Sequence, residues 1–97
     1  MKRLFQVLFL SIILVLTLAV LGCSRSPEAQ KARYLERGDR YFSRQQYKEA
    51  IIEYKNAIQI DPKLSGAWHN KGLALEAIGR NSESEAAYAK EKEIGYS

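Results

Sequence analysis

Apolar and polar positions divide this chain into two unlike parts. From Leu4 to Leu21 run eighteen residues without a charge, interrupted only by Gln6, Ser11 and Thr17. Beyond Ser26 the apolar positions recur every three or four residues, the spacing of amphipathic helices. Tyr34, Gly38, Tyr41 and Phe42 share one helical face, and Ala50, Ile51, Tyr54, Ala57 and Ile58 share another. Gln45-Gln46 is a connection short enough to fold two helices antiparallel. The pattern predicts an all-α chain, with an apolar N-terminal segment followed by helices over 28–44, 47–60, 65–78 and 82–94.

Punctuation residues set those limits. Ser26-Pro27-Glu28 reads as an N-cap, a first-turn proline and an early acid. Ile60-Asp61-Pro62 ends the second helix, because the residue before a proline is pushed out of the helical region. Ser65 is the candidate cap of the third helix and Gly79 its stop. Ser82-Glu83-Ser84-Glu85 has capping-box spacing for the fourth.

The N-terminal segment starts after Lys2-Arg3 and closes on Val20-Leu21-Gly22-Cys23. A basic start, an apolar stretch and a small residue before the cut describe a secretory signal. Here the residue after the cut is the chain's only cysteine. The arrangement resembles the lipobox of bacterial lipoproteins, although Leu21 is bulkier than the residues usual beside that glycine. The resemblance implies cleavage before Cys23 and acylation of its thiol with two or three chains, enough for stable anchoring. An uncleaved helix is the other reading, since eighteen residues just span a bilayer. A plain anchor does not need Gly-Cys at its end, which favours the lipoprotein. In both readings Lys2 and Arg3 stay in the cytoplasm, and the remainder lies on the far side.

Removing residues 1–22 from the 97 leaves 75, one small domain at most. Lys2 and Arg3 leave with the signal, so thirteen of the fifteen basic residues remain against eleven acidic ones. The balance of about +2 argues against nucleic acid as a partner. Arg25, Lys31, Arg33, Arg37, Arg40 and Arg44 make the first third of the mature part locally basic. That run reads as a solvated face, broken by Glu28, Glu36 and Asp39; beside a lipid anchor it also suits anionic headgroups. One cysteine allows no internal disulfide.

A self-similarity appears at an offset of 34 residues. Tyr34 falls on Trp68, Gly38 on Gly72, Tyr41 on Leu75, Tyr54 on Tyr88 and Ile60 on Ile94. The series Tyr34, Gly38, Tyr41, Ala50, Tyr54, Ala57, Pro62 resembles the tetratricopeptide repeat, a helix-turn-helix unit stacked into short solenoids. The resemblance covers residues 31–64 as repeat one and 65–97 as a weaker repeat two, with 23–30 as tether and start of the first helix. The family often has leucine before the glycine; this chain has Arg37 and Lys71, whose aliphatic stems can cover apolar surface while the charge reaches water. Gly38 is expected to let paired helices approach, with Ala50 and Ala57 opposite it. Ser84 and Glu91 stand where repeat one has Ala50 and Ala57, which predicts a polar, solvent-facing last helix that ends the array. Two repeats without a disulfide make a small core. That points to marginal stability, self-association or a permanent partner.

Candidate chemistry is sparse. His69 is the only histidine, and no second histidine or free cysteine is available to share a metal. Ser82 and Ser84 lack a base and read as caps. Glu83, Glu85, Glu91 and Glu93 read as a solvated face, and no glycine-rich phosphate loop is present. The expectation is no enzyme, no cofactor and no metal. The resemblance implies instead a concave surface lined by the first helix of each repeat, which holds a protein or peptide segment. Carried over by position, that surface comprises Leu35, Asp39, Phe42, His69, Asn70, Leu73 and Glu76. Asn70 matches an asparagine that family members use on a peptide backbone. The family's carboxylate-gripping lysines and arginines are absent, because Leu35, Asp39 and His69 stand in this groove.

Arg33-Tyr34-Leu35-Glu36-Arg37-Gly38-Asp39-Arg40-Tyr41-Phe42 and the run Glu49 to Pro62, together with the signal, are similar to the opening of repeat lipoproteins associated with exosortase and exopolysaccharide systems. The chain is thus expected to be a membrane-tethered interaction module of the cell envelope, on the periplasmic side of the inner or outer membrane in a cell with two. The competing expectation is a structural lipoprotein, pilotin-like or serving assembly of the outer membrane or of exopolysaccharide machinery.

Overall fold

The computed structural model describes residues 2–23 and 26–95, with side chains described only to Leu14 in the first span. The described residues hold five helices and no strand: α1 (Lys2–Cys23), α2 (Pro27–Ser43), α3 (Tyr47–Ile60), α4 (Ser65–Ala77) and α5 (Asn81–Gly95). The four predicted helices are therefore present, with ends within a residue or so. The chain is all-α and folds as a tetratricopeptide-type helical repeat. Helix α2 packs on α3, α3 on α4 and α4 on α5, so each of these four helices borrows its core from its neighbours in sequence.

The apolar side chains described in α1, among them Leu4, Phe5, Phe9 and Leu10, are exposed. Among the described residues no helix is long and apolar enough to cross a membrane. Cys23 closes α1, and its side chain lies outside the described residues, as do those of Val20 to Gly22.

Helix ends follow the sequence in part. Ser26 caps α2, accepting from the Ala29 amide at 3.2 Å, and Pro27 occupies the first turn. The loops after α2 and α4 are Schellman turns, in which the last orphan carbonyls are satisfied by amides beyond the helix. After α4 the Gly79 amide donates to the Glu76 carbonyl (3.0 Å) and Arg80 to Leu75 (2.9 Å), with Gly79 at φ +80°. After α2 the same bonds run from Gln45 to Phe42 (3.0 Å) and from Gln46 to Tyr41 (2.9 Å), with Gln45 at φ 62°. A glutamine there carries a steric cost that glycine avoids.

The other two caps are not as expected. Leu64 precedes α4 without a side-chain cap bond, and Ser65 is already helical. The turn is held from Asp61, whose Oδ1 accepts the Lys63 amide at 3.0 Å. No capping box forms at Ser82. Helix α5 starts at Asn81, the Ser84 amide donates to the Arg80 carbonyl (3.0 Å), and the Arg80 guanidinium clamps Glu83.

The core consists of Ile51, Ala74, Leu75 and Ala87, with Phe42, Tyr47, Trp68 and Ile78 packed around it. This cluster spans both repeats, and Ala50, Tyr54, Ala57 and Ala67 are buried as well. Trp68 is half-buried against it, with its indole N–H on the Pro62 carbonyl at 2.9 Å. Lys71 holds its ammonium 5.0 Å from the centre of the Trp68 ring, so its stem does cover apolar surface.

Gly38 and Gly72 each lie closest to a tyrosine ring. A Cβ on Gly38 would lie 2.6 Å from Cε1 of Tyr54, and one on Gly72 would lie 2.6 Å from Cε1 of Tyr88. The same glycine–ring contact recurs 34 residues on, which makes the repeat a physical one. Ser84 corrects a sequence expectation. It is buried, at 3 % exposure, because its position faces α4 within the helix pair, as Ala50 faces α2. Glu91 is half-buried as well. The last helix is not simply a solvent-facing cap.

Candidate functional site: the inner face of the first helices

The seven positions expected to form a concave surface lie on α2 and α4, and the structure unites some of them. Tyr54 of α3 donates its hydroxyl to Oδ1 of Asp39 at 2.7 Å, and the Asn70 amide donates to the same oxygen at 3.4 Å. One carboxylate thus ties α2, α3 and α4 together. Tyr54 is 1 % exposed. Burial, and then the bond to the Asp39 carboxylate, push its pKa well above the ordinary tyrosine value, so the hydroxyl stays a donor.

This triad changes the reading of Asn70. Its amide is engaged with Asp39, so holding a peptide backbone requires an exchange of partners or use of the remaining amide atoms. Tyr54 was not among the expected site residues, because an aromatic there is accounted for by packing alone. The available signal was the hydroxyl: a tyrosine occupies that position in both repeats, where a phenylalanine would fill the same space.

Repeat two departs at this point. Leu73 occupies the position of Asp39, so Tyr88 finds a different acceptor, Oε2 of Glu76, at 2.9 Å. Burial and that carboxylate also raise the Tyr88 pKa. Leu73 and Leu35 are half-buried and Glu76 is exposed, which leaves apolar area beside the polar triad. Phe42 is occupied elsewhere. It packs against the inter-repeat core and meets Tyr47 edge to face, 5.3 Å between ring centres at 78°.

His69 is exposed, and its Nδ1 lies 2.9 Å from Oε2 of Glu91, with the Tyr88 ring 5.7 Å away. It braces α4 against α5. Among the described residues no group of three or more His, Cys, Asp or Glu is placed to hold a metal ion.

Two ion-pair clusters frame repeat one. Lys31 reaches Glu28 (2.8 Å) and Asp61 (3.2 Å), fastening the start of α2 to the end of α3. The Lys63 amide and Lys31 hold the Asp61 carboxyl below its ordinary range, and the pairing raises Lys31. Arg37 pairs with Glu53 at 3.2 Å. Glu53 is a buried charge that the sequence pattern does not announce, at 7 % exposure, and its Oε2 has no partner among the described residues.

A family model for the tetratricopeptide repeat matches residues 38–79, from the middle of α2 through α3 to the stop of α4. No curated protein and no solved structure matches the chain. The chain therefore carries a tetratricopeptide repeat, a unit that in general serves protein–protein interaction.

Proposed function

We propose that this chain is a membrane-tethered interaction module of the cell envelope, whose α2–α4 inner face binds a protein or peptide segment. The observation that carries the proposal is the repeat match across 38–79, with Leu35 and Leu73 beside the Asp39–Asn70 pair. Apolar area with a few oriented polar groups suits an extended or helical segment. The tether rests on the sequence Val20-Leu21-Gly22-Cys23 and the apolar run before it. On this reading Cys23 is the acylated first residue of the mature protein, and the repeats work outside the cytoplasm.

Leu73→Glu tests the binding face. Leucine and glutamate are both good helix formers, so helicity should hold. Capture of crosslinked partners should fall, because a charge then sits in an apolar contact. An unfolded variant would make Leu73 a core residue, and a folded variant with undiminished capture would move binding to another surface. Mass spectrometry of the membrane-bound form tests the tether separately. A chain beginning at Cys23 with added lipid is expected, and intact Met1–Leu21 would overturn it.

A further inference from the structure

The junction between the two repeats is a template for a second junction, between copies. Shifting the residues of the inter-repeat core by 34 positions gives the residues that an added repeat would use; Tyr47 becomes Asn81, and Ala87 becomes Glu53, whose charge Arg37 already pairs at 3.2 Å. On the receiving side, Phe42 and Ile51 correspond to Glu76, which accepts the Tyr88 hydroxyl, and Glu85, both exposed on α4 and α5. On the docking side, Ala74 and Ile78 of α4 correspond to Arg40 and Arg44 of α2. Leu75 and Trp68 correspond to Tyr41 and Tyr34, so the docking side keeps its large ring-bearing or apolar residues.

We infer that this face of α4–α5 receives α2 of a second copy, so that the chain associates head to tail through acidic residues at one end and basic residues at the other. Apolar partners inside the chain become charge partners between chains. Both surfaces are present. A concavity of about 670 Å³ on the α4–α5 end is lined in part by Glu85 and Tyr88, by Glu91 with its partner His69, and by one basic residue, Lys92. In repeat one the corresponding Ile51, Tyr54 and Ala57 are buried, with α4 lying across that repeat. At the other end Arg40, Tyr41 and Arg44 line a shallow hollow on α2. Among the described residues Glu85 and Arg44 are exposed and no ion pair engages either. Arg40 holds only Glu36, an exposed neighbour one turn away at 3.2 Å. Arginine and glutamate together span a wider gap than alanine and isoleucine, so the copies sit farther apart than α3 and α4. The contact is heterologous and leaves each end free for another copy, so growth proceeds beyond a dimer.

The test is sedimentation of the full chain in detergent micelles over a range of protein concentration, with circular dichroism to establish that each variant is folded. Wild type should form a growing series of species that shrinks in high salt, where exposed charges are screened. Glu85→Arg alone and the double variant Arg40→Glu/Arg44→Glu should each sediment as single chains. Mixing the two should restore association, since each then presents a partner of opposite sign. A wild type that remains single at every concentration overturns the inference. So does association that survives both reversals, which would belong to the apolar N-terminal segment. Binding to anionic vesicles that Arg40→Glu/Arg44→Glu abolishes, without self-association of the wild type, also overturns it and assigns the basic face to a lipid surface.

Discussion

Replacing Gly38 by alanine is a one-methyl change whose cost can be worked from its surroundings. An added Cβ would meet Cε1 and Cδ1 of Tyr54 at 2.6 and 2.9 Å, closer than real Cβ atoms approach. The ring cannot simply swing away, because it is buried and its hydroxyl is fixed on Asp39 at 2.7 Å. Alanine gains about 1 kcal/mol of helix propensity over glycine. Against this stand roughly 1–3 kcal/mol of overpacking and about 1.5–3 kcal/mol if the bond to the charged carboxylate is lost. With the bond lost, the net expectation is a loss of about 1.5–5 kcal/mol, or roughly 6–40 °C in melting temperature for a domain of this size. Gly72→Ala supplies the control. Its Cβ would meet Tyr88 as closely, but that ring is only half-buried, so it can yield and the propensity gain offsets much of the cost. Thermal and urea melts followed by circular dichroism distinguish the two. Tyr88 also has a carboxylate partner, Glu76 at 2.9 Å, so the contrast rests on burial, and equal effects, or a more stable Gly38→Ala, would refute the argument that burial holds Tyr54 more firmly than Tyr88.

Trp68→Ala should lose about 3 kcal/mol, the low end for a large aromatic because the ring is half-buried, and an unchanged melting curve would contradict its place against the inter-repeat core. Gln45→Gly should raise stability by about 0.5–1 kcal/mol, since glycine takes φ 62° without the Cβ penalty but is freer when unfolded; a lower urea midpoint would refute this. Tyr54 and Lys31 both have raised pKa values in the fold, so the folded state holds protons that the unfolded state releases. Their contribution is complete below pH 10 and is lost as pH rises beyond it, and Tyr54→Phe should flatten that alkaline fall in the urea midpoint. Asp61 has the opposite sign: its lowered pKa contributes above the ordinary value of 3.8 and is lost as pH falls through the folded value, so Asp61→Asn should flatten the acid limb of the same titration.

Much of the fold was legible because its signals are local. Pro27 after Ser26 and Gly79 after α4 act within one turn, and both stand where the pattern put them. Helical spacing located all four repeat helices. Caps that depend on a neighbour were not legible: Ser65 and Ser82 have the right chemistry, but Asp61 and the Arg80–Glu83 clamp hold those turns instead. Ser84 was misread because periodicity gives a face and not what covers it. The inner-face residues were legible as a set of positions. Their bonding was not, since the Tyr54–Asp39–Asn70 triad joins residues 15 and 31 apart. Buried Glu53 was hidden for the same reason: its partner Arg37 lies on another helix.

The claim that the α2–α4 inner face binds a protein segment is tested most directly by placing a photocrosslinking side chain at single positions in the full chain in its native membrane. One probe replaces Leu73 on that face, and the other replaces Ile52, which is 57 % exposed on α3. The account predicts a discrete crosslinked protein from position 73, lost when Leu35→Glu is added on the same face, and none from position 52. Crosslinks confined to position 52, or a position 73 adduct indifferent to Leu35→Glu, would contradict it.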